Sequence, residues 1–530
     1  MSEFDAIVIG GGSNGLVAAT ALAQGRRRVL LLERADRTGG KARVVEFAPG
    51  FHAPSLGLDA GWLPPTVARG IGLVTPPMDE PDIAITVAAG DREFLRLARD
   101  PARAAEEIRR RSPRDASRWV AFAMRIGKLA RFLESLYQLP APDIDTRSIG
   151  EMPALLGLAR KFRALGRVDM TELLRVMPMP VQDLLDDELE SEILKAAVGA
   201  GAVRDLRQGP RSGGTSFGLL HHLVGAPSGS LRARGAWRDR PDAFVVAVEA
   251  AARKAGVTIR CAAPVAHIVV RDDSVKGVAL AGGEEINAPI VLSTADPAVT
   301  FGLVDPVWLD PEFLHAVRNI RYRGCTAVAH YALDRLPTVP GLDEPEKALA
   351  GIVSLTPSLD SLERAADAAK YGAIPDSPHI EITVPTLRWP SLAPAGKHVL
   401  VARVQYAPYQ LSGGHVWDWS SAGTLATTVT AAIERVVPLG QSRISLMSPR
   451  DIADQYALTQ GGITHGELLL DQIMFMRPVA GWGRYATPID GLYLGGSGAH
   501  PGPGVLGGAG WLAARRVLAD AKGSPAGGRR

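Results

Sequence analysis

The sequence predicts an α/β protein in which a Rossmann-like domain, discontinuous along the chain, carries an inserted α+β domain. Two observations support this prediction. The chain opens on a strand, a glycine turn, a helix and a second strand, and it ends on an apolar strand, a glycine-rich loop and a helix. Its 530 residues also exceed what one simple core accommodates, so two or more domains are expected.

The opening turn has the spacing of a dinucleotide-binding motif. Its first glycine permits a tight turn, the second lets the backbone approach a pyrophosphate, and the third lets the helix lie close to the strand. Glu33 follows 18 positions after Gly15, near the ~20 expected for a carboxylate that binds a ribose hydroxyl. The flanking apolar strands argue against a chance glycine loop. The predicted contacts are Gly10, Gly12, Ser13, Asn14, Gly15 and Glu33.

A second glycine pair follows the acid. Gly39 and Gly40 let the chain pass close to a large dinucleotide, and the basic Arg34 and Arg43 are candidates to face its phosphates or adenine. The usual nicotinamide fingerprint does not need this extension, so the pair favours FAD over NAD. The alternative is an ordinary Gly-Gly turn. The residues predicted to contact the cofactor here are Arg34, Gly39, Gly40, Lys41, Ala42 and Arg43.

The end of the chain offers a matching piece. An apolar strand at 491–494 enters a glycine loop that contains Gly496 and Gly504, and a helical pattern runs from about Val505 to Lys522. A flavin ring lying against this second helix start would meet backbone with almost no side chains, and the helix dipole would stabilise negative charge on it. Gly496, Gly504 and Val505 are therefore predicted cofactor contacts. The alternative is a Gly/Pro linker before a terminal helix.

Together these segments resemble the phytoene desaturase-related flavoproteins of the amine-oxidase-like FAD superfamily. The resemblance is carried by GGGSNG (10–15), ER…GGKAR (33–43) and GLYLGGSGAHPGPGV (491–505). Within it, THGE (464–467) and FMRPVAGW (475–482) are most similar to the branch that contains the pyridine nucleotide-disulfide oxidoreductase domain-containing proteins. The resemblance implies that the backbone of Val265 meets the adenine and that residues 293–297 lie beside the cofactor.

Three segments are assigned to the FAD-binding domain: residues 1–75, 225–300 and 484–522. The second segment reads as a helix at 243–254 followed by short strands at 257–261, 265–271, 275–281 and 290–293. Residues 76–224 and 301–483 are assigned to a substrate domain that roofs the cofactor. This domain is predicted to be helix-rich over 100–205, with strands at 321–334 and 398–408. The tail, 523–530, is expected to be frayed.

One segment departs from the family pattern. After Trp237 the family continues into a small, glycine-rich turn, whereas this chain reads Arg238-Asp239-Arg240-Pro241-Asp242. Charged groups near a flavin would change the geometry expected of a desaturase. The alternative is that Asp242 serves as the N-cap of the following helix.

Hydride transfer to a flavin requires a positioned substrate and little else, and the sequence offers no convincing triad or metal cluster. His500 and His465 are the candidate catalytic residues. His500 lies in the glycine segment expected to line the flavin, and His465 and Glu467 are candidates to orient each other. The alternative for each histidine is a hydrogen-bonded structural role. For His221, His222, Trp482 and Tyr485, packing is the alternative to a place in the active site.

Composition limits the partners. The net charge of +3 from 59 basic and 56 acidic residues argues against nucleic acid. Cys261 and Cys325 are far apart and outside any CxxC pair, which argues against a disulfide framework, a thiolate metal site and a redox dithiol. No signal peptide and no apolar run of ~20 residues is visible, so a cytoplasmic location is expected. The oligomeric state stays open.

Basic residues lie among the apolar residues of the segments at 118–137 and 155–175. This pattern predicts peripheral contact with an anionic membrane, and the alternative is a solvated helix face. The expected function is dehydrogenation of an apolar or amphipathic small molecule, with oxygen or a quinone as electron acceptor. The alternatives are a flavin-dependent isomerase without net redox change, an amine oxidase, and an FAD-binding scaffold without catalysis.

Overall fold

A computed structural model of the chain describes residues 3–56, 61–90, 92–142, 152–227, 229–230 and 235–521. A five-stranded parallel sheet contains β1 Ala6–Ile9, β2 Val29–Leu32, β9 Thr258–Arg260, β13 Val291–Ser293 and β19 Leu492–Leu494. Its order is β19-β13-β1-β2-β9. β1, β2 and β13 are buried at every position, as expected of apolar strands covered on both faces. The chain therefore returns to this sheet from its beginning, middle and end. The domain boundaries given above stay a prediction.

Three helices pack beside this sheet: α1 Ser13–Gln24, α10 Ala243–Lys254 and α17 Gly508–Asp520. The helix predicted at 243–254 is confirmed. The terminal helix was predicted from Val505, which is wrong by three residues. Gly507 has φ 67°, a left-handed conformation that an α-helix does not continue through, so the helix begins at Gly508.

Smaller sheets border the parallel sheet. One is antiparallel and comprises β10 Val265–Arg271, β11 Ser274–Leu280 and β12 Glu285–Asn287, close to the strands predicted at 265–271 and 275–281. The hairpin of β3 Val44–Ala48 and β4 Phe51–Pro54 is one antiparallel pair, and β5 Met78–Asp79 forms a second with β8 Ala236–Trp237, which is distant in sequence. The second pair brings the segment after residue 235 against the insert.

A seven-stranded mixed sheet forms the centre of the inserted part. Its strands are β6 Ile83–Gly90, β7 Glu93–Ala98, β14 Thr326–Leu333, β15 Ile352–Ser354, β16 His379–Thr383, β17 His398–Gln405 and β18 Ser442–Met447. The order is β18-β14-β17-β16-β15-β6-β7, antiparallel except for the β15–β6 pair. β14 and β17 are the strands predicted at 321–334 and 398–408, shorter at their ends. This sheet faces the parallel sheet across the cleft described below.

The remaining helices are mostly in the insert: α2 Pro65–Gly70, α3 Pro101–Arg109, α4 Pro113–Tyr137, α5 Met152–Ala164, α6 Arg167–Val176, α7 Val181–Glu188, α8 Glu192–Ala202, α9 Thr215–His222, α11 Pro297–Gly302, α12 Pro311–Arg318, α13 Pro345–Leu349, α14 Leu359–Lys370, α15 Trp419–Glu434 and α16 Pro449–Tyr456. The helix-rich region predicted over 100–205 is therefore confirmed. In α4 the three- and four-residue spacing places its apolar side chains in one core; they are Trp119, Ala123, Ile126, Leu129, Phe132 and Leu136.

Two basic residues of this helical layer pair with acids of neighbouring helices. Arg125 pairs with Glu188, and Lys128 pairs with Asp169. These pairs fit the alternative of a solvated, ion-paired face, and contact with a membrane stays a prediction. In the part of the chain that is described, no helix has the length and apolar character needed to cross a membrane. The predicted frayed tail lies outside the described residues.

Candidate dinucleotide site

The opening turn leaves bare backbone at the end of β1. Gly10 adopts φ 99°, and a Cβ on it would lie 2.5 Å from the Thr294 hydroxyl. A Cβ on Gly15 would lie 1.8 Å from the Gly10 carbonyl oxygen, so only glycine lets α1 approach the strand this closely. Gly12 differs, since no atom of the described residues lies within 4 Å of its Cβ position. The space above Gly12 is therefore open to a phosphate group.

Glu33 stands at the end of β2 and is 8% exposed. Its Oε2 accepts a hydrogen bond from the Gly11 N–H at 2.7 Å, and its Oε1 accepts one from the Ala35 N–H at 2.8 Å. These bonds hold the carboxylate against the glycine turn and leave each oxygen a second acceptor position. The arrangement fits a carboxylate that binds ribose hydroxyls.

The second glycine pair packs directly on the first turn. The Gly39 N–H donates to the Gly11 carbonyl at 2.8 Å. A Cβ on Gly40 would lie 3.3 Å from the Cα of Gly12, and Gly40 has φ 52°. The two glycine motifs, separate in the sequence, thus form one continuous backbone surface.

The second helix start meets the first at Asn14. The Asn14 Oδ1 accepts from the Gly510 N–H at 3.4 Å, and its Nδ2 donates to the Ser497 hydroxyl at 3.4 Å. A Cβ on Gly510 would lie 2.0 Å from the Asn14 carbonyl oxygen, which shows how closely α17 approaches α1. The two glycine-lined helix starts therefore converge, as the sequence predicts.

A cleft of about 640 Å³ runs between this backbone surface and the insert. The residues predicted to contact the cofactor that line it are Gly10, Gly12, Ser13, Asn14, Glu33, Arg34, Gly39, Gly40, Lys41, Ala42, Arg43, Val265, Gly504 and Val505. Gly15 and Gly496 lie behind the lining and act by close packing, since a Cβ on Gly496 would lie 2.3 Å from the Thr294 carbonyl oxygen. The bare floor and the Glu33 carboxylate fit a dinucleotide.

The two arginines of this region also serve the protein's own contacts. Arg34 donates to the backbone carbonyls of Asp454 and Gln455 at 2.5 and 2.9 Å. Arg43 donates to the Gly40 carbonyl at 3.2 Å, and its guanidinium lies 5.6 Å from the centre of the Tyr456 ring. Both side chains tie the glycine segment to the end of α16, and a contact with phosphate or adenine stays a prediction.

Lys41 and His465 lie on the same cleft. The Lys41 ammonium donates to the Ile463 carbonyl at 2.5 Å, and burial lowers its pKa to about 8. Burial, together with the charges of Lys41 and Arg477, lowers the pKa of His465 well below its usual range, so the imidazole is neutral at physiological pH. Its Nδ1 is buried without a partner among the described residues.

The expected pairing of His465 with Glu467 is wrong. His465 has φ 57° and the next residue, Gly466, has φ 114°, so the chain turns between the two side chains. Glu467 is fully buried, and its carboxylate pairs with Arg323, whose Nε donates at 2.7 Å. The sequence offered no sign of this partner, because Arg323 is 144 positions away.

Arg477 fixes the shape of this side of the cleft. It is 2% exposed, and its guanidinium donates to backbone carbonyls at distances from 2.6 to 3.4 Å. The carbonyls belong to Thr464, His465, Gly466, Glu467, Gln472 and Ser497. One side chain thereby joins the turn that carries His465 to the C-terminal glycine loop. The motif FMRPVAGW contains this residue, but its contacts were not predicted.

Comparisons with known proteins agree with this geometry. Residues 8–63 match the model of the NAD(P)-binding Rossmann-like domain. The chain is 32% identical to pyridine nucleotide-disulfide oxidoreductase domain-containing protein 2 of Rattus norvegicus, over 98% of this chain and 94% of that protein. This chain belongs to the family of pyridine nucleotide-disulfide oxidoreductase domain-containing proteins.

More distant relatives place the family in its superfamily. A limonene dehydrogenase subunit of Castellaniella defragrans is 24% identical, over 98% of this chain and 95% of that protein. Phytoene desaturase of Neurospora crassa is 23% identical, over 94% and 82%. A putrescine oxidase structure shares the fold with a TM-score of 0.58 at 16% identity, covering 98% of this chain and 99% of that one. The resemblance to phytoene desaturase-related, amine-oxidase-like flavoproteins is therefore confirmed.

The chain carries two free cysteines. Cys261 is half-buried and Cys325 is buried. Burial raises the pKa of Cys325 to about 12, so it stays a thiol at physiological pH. Among the described residues, no group of three or more His, Cys, Asp or Glu is arranged to hold a metal ion.

His500 lies away from the cleft lining. It borders a second, apolar cavity of about 310 Å³, and its Nε2 donates to the Leu139 carbonyl at 3.0 Å. Burial lowers its pKa to about 4, which keeps the ring neutral. This placement fits a structural histidine, and it offers no contact with the dinucleotide floor. His221 is likewise structural, bonded to the Tyr137 hydroxyl and the Pro503 carbonyl, whereas His222 lines the cleft.

Trp482 and Tyr485 lie outside the cleft lining, and the charged segment after Trp237 reaches it only in part. Tyr485 is 1% exposed in the core, and Trp482 packs edge-on against Phe313. Arg238 is exposed and pairs with Asp79 at 2.8 Å, and neither residue lines the cleft. Asp242 occupies the N-cap position of α10 without a capping side-chain bond, because its carboxylate pairs with Arg240 at 2.5 Å. Pro241 and Asp242 line the cleft, so the departure from the family pattern reaches it, and Arg240 balances the Asp242 carboxylate there.

Replacing Lys41 with methionine is expected to raise the melting temperature of the cofactor-free protein at pH 7. Its pKa is lowered from 10.5 to about 8, so below pH 8 the folded state bears the full cost of a buried charge. Between pH 8 and pH 10.5 the folded state releases this proton, and the gain from the substitution should shrink. Thermal denaturation of wild type and variant at pH 7 and at pH 10.5 tests the prediction. Lys254→Met, at an exposed position, is the control. If Lys41→Met raised the melting temperature equally at both pH values, the prediction would be contradicted.

Proposed function

We propose that this protein is an FAD-dependent oxidoreductase that dehydrogenates an apolar or amphipathic small molecule. When bound, FAD would supply a hydride acceptor at N5, with oxygen or a quinone as the final electron acceptor. The observation that carries the proposal is the cleft, whose floor is the bare backbone of Gly12 and Gly40 and whose opposite wall belongs to the seven-stranded sheet and its loops. One space thus joins a dinucleotide platform to a substrate wall.

The substrate wall is largely apolar and is fastened to the dinucleotide side. Val384, Pro385 and Trp389 line it, and the Trp389 indole N–H donates to the Trp237 carbonyl at 3.1 Å. Arg388 donates to the Asp79 and Ala236 carbonyls at 2.9 and 3.3 Å. These contacts hold β8 against the insert, so the wall can orient an apolar substrate and exclude water.

Of the two histidines predicted to be catalytic, His465 is the one that lines the cleft. Its ring is neutral, and its buried Nδ1 has no partner among the described residues. A neutral imidazole can accept a proton from a substrate that loses one together with a hydride. Arg477 acts on it indirectly, since it holds the turn that carries the histidine.

The names of two relatives support dehydrogenation as the reaction class. One is a limonene dehydrogenase subunit and the other a phytoene desaturase. The amine oxidase alternative is suggested by the similarity to the putrescine oxidase structure, but at 16% identity this similarity supports only the fold. The scaffold without catalysis has the charged segment 238–242 in its favour, since Pro241 and Asp242 line the cleft, but Arg240 balances the charge of the Asp242 carboxylate.

The test starts from the absorption spectrum of the purified protein supplied with excess FAD. The proposal expects a tightly bound, yellow cofactor and anaerobic bleaching when the substrate is added. Conversion of the substrate without bleaching would favour an isomerase, and release of hydrogen peroxide with amines would favour an amine oxidase. A protein that stays colourless and gains no thermal protection from FAD would refute the proposal.

A further inference from the structure

An aspartate on the insert side of the cleft is held by an unusual set of contacts. Asp205 lies just after α8, has φ 62° and lines the cleft with a side chain that is 12% exposed. A left-handed backbone conformation is uncommon for a non-glycine residue and persists only where the surroundings hold it. The contacts of this residue therefore need an explanation.

Two adjacent strands supply those contacts. The Asp205 N–H donates to Oε1 of Gln405 at 3.0 Å, and the Thr326 hydroxyl donates to Oδ1 of Asp205 at 3.0 Å. Nη2 of Arg403 also donates to Oδ1. Thr326 and Gln405 are register partners in β14 and β17, and Arg403 lies two positions before Gln405 on the same face. The sheet thus fixes both the backbone and one carboxylate oxygen.

The other carboxylate oxygen is left for a ligand. The bonds to the Asp205 carboxylate all end on Oδ1, and Oδ2 has no partner among the described residues. A carboxylate accepts hydrogen bonds and does not donate them, so its ligand must present an O–H or N–H group. Arg403 is itself engaged, since its Nη1 donates to the Leu56 carbonyl at 3.1 Å.

Charge narrows the choice of donor. The Arg403 guanidinium balances the Asp205 carboxylate, and both side chains are largely buried, at 6% and 12% exposure. A neutral hydroxyl group adds no charge to this balanced pair, whereas burying a further cation or anion there is costly. The acceptor oxygen therefore suits an alcohol better than an amine or a carboxylic acid.

We propose that Asp205 binds a hydroxyl group at the polar end of an otherwise apolar substrate. The proposal rests on the function proposed above and names the substrate class as apolar alcohols. Oδ2 of Asp205 accepts the hydroxyl hydrogen bond, while the apolar part of the molecule lies against the wall that contains Val384 and Trp389. Gln405, Thr326 and Arg403 are positioning residues that hold Asp205 in place.

The test is calorimetric titration of the FAD-treated, full-length protein with octanol and with its isomer heptyl methyl ether. The two probes have the same atoms, but only octanol donates a hydrogen bond. Wild-type protein is expected to bind octanol at least about tenfold more tightly, the difference that one hydrogen bond to a charged group supports. Octylammonium and octanoate, titrated in parallel, are expected to bind more weakly than octanol.

Two variants test the role of the residue itself. Asp205→Asn should keep its oxygen on Thr326 and Arg403 and turn an amide N–H₂ toward the cleft, so the preference for octanol over the ether should disappear. Asp205→Ala should also remove the preference. Asp376→Asn, a matched change in an exposed turn, should leave it unaltered. Circular dichroism and melting temperature identify a variant that has lost its fold. In that case Thr326→Val, which keeps the Asp205 carboxylate, is tested instead, and it should lose part of the preference for octanol.

Equal binding of the two isomers to wild-type protein, or failure of all four probes to bind, would overturn the proposal. So would an unchanged preference in folded Asp205→Asn, or tighter binding of octylammonium or octanoate. Because the readout is heat of binding, it does not depend on flavin reduction. A protein that prefers octanol but whose flavin is never bleached would refute the proposed oxidoreductase function and still support the hydroxyl site.

Discussion

Replacing Gly12 with valine is expected to lower the affinity for FAD by at least about 100-fold while leaving the fold intact. Gly12 has φ −76° and ψ −177°, a conformation that any residue adopts. Its Cβ direction meets no described atom within 4 Å, so a larger side chain fits the protein but fills the space predicted for the pyrophosphate. Absorbance of bound flavin per mole of protein measures the loss, and the melting temperature of the cofactor-free protein reports on the fold.

Gly423→Val is the matched control. Gly423 lies on α15, and a Cβ there also meets open space, so the substitution adds the same side chain at a site away from the cleft. It should retain flavin like the wild type. Retention of flavin by Gly12→Val would show that the pyrophosphate lies elsewhere, and the dinucleotide interpretation of this turn would have to be abandoned.

Replacing Arg477 with methionine is expected to destabilise the protein by at least about 3 kcal/mol. The buried guanidinium donates to six backbone carbonyls, and methionine removes these donors from all six. Among the described residues, only the Glu467 carbonyl keeps another side-chain donor, Nε2 of Gln472 at 3.1 Å. Unpaired buried carbonyls cost about 1–3 kcal/mol each, less whatever water recovers. The turn that carries His465 and the loop at Ser497 should separate, so flavin retention should fall as well. Chemical denaturation measures the loss of free energy.

Arg109→Met, an exposed arginine at the end of α3, controls for the loss of a positive charge and should change stability by less than about 0.5 kcal/mol. A similarly small change in Arg477→Met would mean that the carbonyls find other donors, and the role assigned to Arg477 would then be wrong.

The local spacing of residues was enough to predict much of the dinucleotide-binding fold. Gly10 and Gly15 meet within one turn, where a Cβ would lie 1.8 Å from a carbonyl oxygen, so the steric requirement is visible in a six-residue window. Buried helices and strands followed from apolar periodicity, as in α4 and β14. The start of α17 was misplaced because Gly507 takes a left-handed conformation that the apolar pattern after Val505 does not reveal.

Side-chain partners were harder to predict. His500 follows a glycine loop that suggests a flavin neighbour, yet its ring turns to the Leu139 carbonyl, 361 positions away. Glu467 was assigned to His465 because the two are close in sequence, although a left-handed turn separates them and Arg323 takes the carboxylate. Nearness along the chain is a poor guide where the backbone reverses.

The sequence by itself determined the parallel βαβ start and the two glycine surfaces, since these depend on steric limits and periodicities that act over a few residues. The family followed from the resemblance of its motifs. Only the tertiary structure decided which polar groups share the cleft. Asp205 reaches Thr326 and Arg403 across 121 and 198 positions, and such pairs form only when the turn after α8 has packed against β14 and β17. The free energy of burying a charge depends on which neighbours surround it, and no window of sequence contains those neighbours.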